Sequence, residues 1–311
     1  DLLLNTVFYI LSITVLAGAL GQLMIEFGVV RLLEGILAPF MKPLFNLPGV
    51  ASLGALMTFF SDNPAIISLA SDDNFRSYFE RRQFVSLTNF GTAFGMGLIV
   101  ITFMIGSGAG FVVPAIVGLF GAVFGAMVST RLMQFLIRNI NLEKTFEPDK
   151  AHEEQIRFRS EGSLFLRFIN GVLDGGKMGV DIGLAIIPGV LIISSIIMII
   201  TFGPADASVG YQGLPYEGVA ILPKIASWFS GIFRILFGFH SPEAIAFPIT
   251  SLGAVGAALS LIPTFLQRGI AGANEIAVFT AMGMCWSGYL STHTAMLDAL
   301  NYRELTSKAL L

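Results

Sequence analysis

Residues 49–69 read GVASLGALMTFFSDNPAIISL. The stretch is apolar enough and long enough to enter a bilayer, yet its middle carries Ser61-Asp62-Asn63-Pro64. Proline disfavours helix at the residue before it, asparagine is a good N-cap, and proline suits a first helical turn. The sequence therefore predicts two short helices with a break between them. Residues 242–263, PEAIAFPITSLGAVGAALSLIP, repeat the pattern with Pro248, Thr250, Ser251, Gly253 and Gly256 inside an apolar run. Non-helical backbone survives at membrane depth only where protein or a wet cavity satisfies it. Both stretches are read as re-entrant hairpins that enter and leave on one side.

Around the hairpins lie conventional spans of about 20 apolar residues. Leu2–Val30, Phe84–Gly106, Gly108–Ile137 and Val180–Phe202 qualify, and Ala273–Ser291 is a less apolar fifth. Arg31–Phe45 and Val219–Phe237 mix apolar runs with sparse Lys and Arg, as interfacial amphipathic helices do. Composition agrees. Of 311 residues 54% are hydrophobic and 13% charged, about half the charge of a soluble domain. That excludes a soluble enzyme and a disordered chain. A net charge of −3 offers no basic field for nucleic acid. The single cysteine, Cys285, allows neither a disulfide framework nor a cysteine zinc site within one chain. The chain begins at Asp1 and stops inside Ala309-Leu310-Leu311, so both ends read as trimmed, with further spans beyond them.

Lysine and arginine set the orientation. Five lie from Arg31 to Arg82 and eight from Arg131 to Lys177, while the turn at 106–110 and the loop at 203–218 have none. The positive-inside rule places both basic regions in the cytoplasm. Two crossings separate them, which holds only if the first hairpin does not cross. The order of parts is the same in both halves: span, amphipathic segment, broken hairpin, span. Weak echoes accompany it, Gly28-Val29 with Gly218-Val219, Thr58 with Thr250, Thr88 with Thr280 and Gly91 with Gly283. Three crossings precede the second copy, so it sits upside down. Inverted repeats whose discontinuous helices meet near the midplane mark secondary transporters. The expected fold is an all-α polytopic membrane protein with an inverted repeat and two re-entrant helical hairpins. Its parts are residues 1–137, a solvated cytoplasmic link at 138–163, and residues 164–311.

The tip Ser61-Asp62-Asn63-Pro64-Ala65, preceded by an amphipathic segment with Gly28 and Pro43, resembles the nucleoside recognition, or Gate, repeat. So does Leu173-Asp174-Gly175-Gly176-Lys177 leading into Ala185-Ile186-Ile187-Pro188. That repeat occurs in concentrative nucleoside transporters, GTPase-linked ferrous-iron permeases and paired spore-maturation membrane proteins. The resemblance implies a Gate-type unit in each half and a bacterial or archaeal inner-membrane location. It does not choose the solute. No P-loop lies in the chain.

Among candidate binding residues Asp62 leads, since an acid at mid-depth costs about 2.5–3.5 kcal/mol on insertion scales and calls for a partner or a function. Thr58, Ser61 and Asp62 share one helix face, and Asn63 follows at the break. Capping of the restarted helix is the competing role for Asp62 and Asn63. Thr250 and Ser251 are the counterparts in the second hairpin. Asn89 and Thr92 sit inside the second span, and Thr280, Ser287 and His293 in or after the fifth. Each of these serves either a ligand or helix packing. His293 is read as a proton carrier or ligand, or as a histidine closing a helix at its cytoplasmic end. No HExxH or GxSxG occurs, and no nucleophile–base spacing suggests an enzyme. The expected function is a secondary transporter of a small polar solute, with no cofactor and Na+ or H+ as coupling ion. Its partners are the lipid bilayer, the solute and, through Gly-rich spans, further copies of the chain in a homo-oligomer. The other reading is a non-transporting assembly protein of the spore-maturation type.

Overall fold

The computed structural model describes residues 7–62, 64–70, 73–140, 162–185, 187–204, 208–214 and 217–311. Asn63, Ile186 and most of the 138–163 link lie outside the described residues. Every regular element among the described residues is helical. In the first half, α1 (Phe8–Glu26) leads to α2 (Val29–Phe40), which ends in a π turn at Met41–Phe45. Then follow α3 (Ala51–Phe60), α4 (Pro64–Ala70), α5 (Asp73–Ser77), α6 (Arg81–Thr92), α7 (Gly97–Gly106) and α8 (Val112–Leu136). The second half opens with α9 (Leu164–Ala185), continues through a π turn at Gly189–Ile193 and reaches α10 (Ser194–Thr201). After it come α11 (Ile221–Ser227), α12 (Ser230–Phe237), α13 (Ala246–Gly253), α14 (Val255–Leu259) and α15 (Ile262–Gln267). The chain closes with α16 (Ala273–Cys285), α17 (Tyr289–Ala299) and the short α18 (Thr306–Ala309).

Among the described residues four helical runs are long and apolar enough to cross a membrane: Phe8–Glu26, Arg81–Gly106, Ala109–Leu136 and Leu164–Thr201. In the apolar stretch of the Arg81–Gly106 run 89% of the residues are buried, whereas the corresponding stretches of the other three are 28–33% buried. The broken helix is thus the most enclosed of the four, and the other three leave much of their surface exposed. The expected fifth span forms as α16 and α17, each too short to cross alone because the helix breaks at residues 286–288.

The expected hairpins double back. Ile66 of α4 lies so close to α3 that a Cβ on Gly54 would come within 2.4 Å of it. In the second hairpin α13 and α14 pack on one another across the extended Ala254. One hydrophobic core joins the halves, with Phe45, Phe90 and Phe103 from the first and Phe247, Phe265 and Phe279 from the second.

The same turns return after a constant interval of 192 residues. Left-handed backbone occurs at Gly28 and Ala220, at Asn46 and Gly238, and at Met96 and Gly288. Helices begin at Val29 and Ile221, at Arg81 and Ala273, and at Gly97 and Tyr289. The Gln83 side chain accepts the Glu80 N–H and the Glu275 side chain accepts the Gly272 N–H, both at 3.0 Å. The counterpart of Gly28 is therefore Ala220, not Gly218. Gly218 is small for another reason: a Cβ there would meet the Ile199 carbonyl at 2.1 Å. The equivalent spans run in opposite directions. Thr92 meets Met296, Gly97 faces Met284, and Val100 lies near Gly283.

One expectation about the fourth span is corrected. The helix begins at Leu164 rather than Val180 and packs antiparallel along α1. Gly171, Gly175, Gly179 and Gly183 form its buried stripe. A Cβ on Gly18 would lie 2.4 Å from the Gly175 carbonyl, and one on Gly179 would lie 2.3 Å from the Thr14 carbonyl. Only glycine permits that approach. Arg167 binds Glu26 at 2.6 Å where α1 ends. Lys177 sits ten residues further along the same helix, about 15 Å at 1.5 Å per residue. It is not in a cytoplasmic loop. Hydropathy windows miss this segment because Asp174, Lys177 and Asp181 share its exposed face with Leu173 and Leu184.

Candidate functional site

Each hairpin ends against a broken span. In the first half α3 stops at Phe60, Ser61 takes φ −128° and ψ −108°, and the Ala65 N–H donates to the Asp62 carbonyl at 3.0 Å. The Thr58 hydroxyl donates to the Gly54 and Ala55 carbonyls, and the Ser61 hydroxyl donates to Met57 at 2.6 Å. Asp62 is half-buried. The span behind the tip breaks between α6 and α7, where Met96 adopts φ +56°. A Cβ on Gly97 would come within 2.3 Å of the Phe59 ring and 3.0 Å of Met284. The last turn of α3 therefore rests on the start of α7 and the end of α16.

The second half repeats this contact with different chemistry. The Gly288 N–H, at φ +64°, donates to the Ser251 carbonyl at 3.2 Å. Thr250 and Ser251 are buried, and their hydroxyls donate to Ala246 and Pro248 of their own helix. Ser287 is buried beside them in the break. Thr92 donates to Thr88 one turn back and reaches the Met296 sulfur at 3.6 Å, while Thr280 donates to Ile276. A hydroxyl that donates to its own helix keeps its acceptor lone pairs. Broken helices leave backbone N–H and C=O groups without intrahelical partners at their ends. Such ends can hold a polar solute or a cation.

The tips and breaks thus gather Thr58, Ser61 and Asp62 in one half, and Thr250, Ser251 and Ser287 in the other. Asn89 and His293 stand apart from them. They line a cavity of about 310 Å³ beside α8, together with Ser129, Trp286 and Tyr289. His293 does not close a helix end. It lies within α17, 1% exposed, with Nδ1 2.8 Å from the Tyr289 carbonyl. The helix breaks at Met96 and Gly288 were not read from the sequence. Their signal was present in the glycines at 91, 95 and 97 and in Trp286-Ser287-Gly288.

Comparison with known proteins bears on this arrangement. Residues 7–108 match the nucleoside recognition family, Gate. The resemblance expected from the Ser61–Ala65 tip is borne out. The Gate match covers the first span, the first hairpin and the broken helix behind it. The sporulation integral membrane protein YlbJ of Bacillus subtilis (strain 168) is 38% identical over 73 residues, which are 22% of this chain and 18% of YlbJ. Matched against solved structures, the fold resembles a CNTnw variant in an outward-facing state, with a TM-score of 0.60 and 14% identity over 97% of this chain and 71% of that one. It also resembles CNTnw in an inward-facing substrate-bound state, with a TM-score of 0.59 and 15% identity over 96% and 70%. The chain is a multi-pass membrane protein of this fold, and its regular elements among the described residues are all helical.

Proposed function

We propose that the chain is a secondary transporter of a small polar solute, working by alternating access around the two hairpin tips. One observation carries the reading: a hairpin tip seated on a broken helix occurs twice, 192 residues apart, on spans that run in opposite directions. Two oppositely oriented copies of one unit can exchange conformations, so that the site opens first to one side and then to the other. Likeness to CNTnw in both outward- and inward-facing states supports this. The units are residues 1–137 and 164–311, with 138–163 as a cytoplasmic link, in a bacterial or archaeal inner membrane. Asp62 takes the coupling Na+ or H+, or a donor group of the solute. The hydroxyls of Thr58, Ser61, Thr250, Ser251, Thr280 and Ser287 supply neutral contacts, with Thr92 at the break and Asn63 at the tip.

The test is uptake into proteoliposomes, with nucleosides, nucleobases and amino acids offered under Na+ and H+ gradients. A cation-dependent uptake abolished by Asp62→Ala is expected. Full uptake by that variant removes Asp62 from the mechanism, and no uptake of any solute favours the second reading. That reading is an assembly protein of the sporulation type, supported by the identity with YlbJ and by the close packing of Thr58, Thr250 and Ser251.

The outer face of α9 supports a homo-oligomer. Asp174, Lys177 and Asp181 are exposed along a helix that follows a membrane span. Charges at that depth are unfavourable against lipid. A lysine bracketed by two carboxylates is complementary to its own copy, so a second protomer is the cover that suits it.

A further inference from the structure

We propose that His240 and Glu275 form an acid-strengthened latch at the outer base of the second hairpin, so that this hairpin, unlike the first, is held more tightly as the external pH falls. The inference rests on the fold and on the charge-based orientation, and not on the transport reading.

The two hairpin bases are equivalent places built from different chemistry. In the first, Gln83 accepts the Glu80 N–H at 3.0 Å and donates to the Asn46 carbonyl at 2.8 Å. The Asn46 amide donates to Gln134 of α8, and Gln134 donates to the Phe45 carbonyl and the Ser86 hydroxyl. Arg131 adds contacts to the Pro43 and Leu44 carbonyls. Amides do not titrate and arginine stays charged, so these groups keep one state across the physiological range.

In the second copy Glu275 stands in the place of Gln83, and Gly238 in the place of Asn46. Glu275 repeats the acceptor half of the role and takes the Gly272 N–H at 3.0 Å. An ionised carboxylate has no hydrogen to give, so its second oxygen calls for a donor from the hairpin. That donor is His240, whose Nδ1 lies 3.1 Å from Oε1 of Glu275. His240 sits just before the turn at Pro242–Ile245 that leads into α13. Asn274, donating to the Phe237 carbonyl at 3.0 Å, closes the same base without a charge.

The charge on the ring decides how strong this contact is. A neutral imidazole with its hydrogen on Nδ1 donates an ordinary hydrogen bond to the carboxylate. An imidazolium donates a charge-assisted one, roughly twice as strong. Histidine is the side chain that ordinarily makes this change between about pH 8 and pH 5. The carboxylate is 4% exposed and the ring 80% exposed, so the ring exchanges protons with solvent while its counter-charge stays enclosed. Acid therefore shifts the balance toward the latched arrangement, and the gain is lost as the pH rises through the histidine range.

The neighbouring charges are otherwise placed. Glu243, in the turn after His240, is bonded by the Ser241 hydroxyl. Lys224 of α11, which packs on that turn, and Arg234 of α12 are exposed. Arg268, ahead of α16, lies over the Phe202 ring. The elements packed most closely on α16 are α7, α8, α13, α14 and the turn at Ala109–Phe111. They bring Arg131 alone, which is engaged with Pro43 and Leu44 at the other base.

The test is hydrogen exchange on the protein in lipid nanodiscs at pH 6 and pH 8, with rates corrected for the intrinsic pH dependence of exchange. Residues 238–253 of the wild type should be about threefold more protected at pH 6, the modest size that suits a solvent-screened pair. Residues 46–60, at the first base, should not change. His240→Gln keeps a donor but takes up no proton, so the difference should vanish. Glu275→Gln, which restores the chemistry of Gln83, should remove it as well. Equal protection of 238–253 at the two pH values, a response that survives in His240→Gln, or an equal response at 46–60 overturns the proposal. If Glu275→Gln does not fold, His240→Gln, which alters an exposed side chain, decides alone.

Discussion

The backbone N–H of Gly288 donates to the carbonyl of Ser251 at 3.2 Å, so the second hairpin is held by the break in the helix behind it. Gly288 has φ +64°, a conformation that a Cβ disfavours. Gly288→Ala should lower stability by about 1 kcal/mol and weaken this contact. A thermal melt of the purified variant that matches the wild type would contradict the role given to this turn.

Gly179 is the tightest point between α1 and α9, with the Thr14 carbonyl 2.3 Å from where a Cβ would stand. Gly179→Val should separate the two helices and cost about 1–3 kcal/mol. Gly176, whose Cβ would have ordinary contact with Val15 at 3.8 Å, should tolerate alanine with little change. Denaturation midpoints of the two variants check the contrast, and equal effects would refute the packing.

Much of this architecture was legible in the residues. Ser61-Asp62-Asn63-Pro64 announced the first tip because proline and asparagine act locally, and local chemistry survives folding. The glycine-rich breaks were harder, since Met96 and Gly97 sit in a run apolar enough to pass for one straight helix. What decides there is Phe59, 38 positions upstream, pressing on Gly97. Lys177 misled for a related reason. Its charge reads as a loop, but the glycine stripe on the other side of α9 fits α1, and that tertiary fit overrides the hydropathy of a single face. Asn89 and His293 were picked out as polar groups in spans, though nothing local places them beside α8 rather than at the tips.

Arg167 grips Glu26 twice, through Nε to the carboxylate at 2.6 Å and through a terminal nitrogen to the main-chain carbonyl at 2.7 Å. Both side chains are roughly a fifth to a quarter exposed, so solvent screens the pair. Arg167→Met should cost about 1 kcal/mol, and Glu26→Gln less, because the carbonyl contact remains. Equal losses from the two substitutions would show that the backbone contact contributes nothing.

Lys177→Glu turns the exposed strip of α9 into three adjacent acids, with Asp174 and Asp181 on either side. If a second copy covers that strip, like-charge repulsion should separate the protomers. Light scattering on the purified protein should report a smaller particle than wild type. An unchanged particle mass would place the protomer interface elsewhere.

The opposed orientation of the two hairpins is open to direct measurement. In a Cys285→Ser background, Ser61→Cys and Gly253→Cys each carry one thiol at a tip, and a membrane-impermeant thiol reagent is applied to right-side-out and to inside-out vesicles. Labelling of Ser61→Cys from the cytoplasmic side and of Gly253→Cys from the outside is expected. Labelling of both positions from the same side would contradict the opposed hairpins, and alternating access with them.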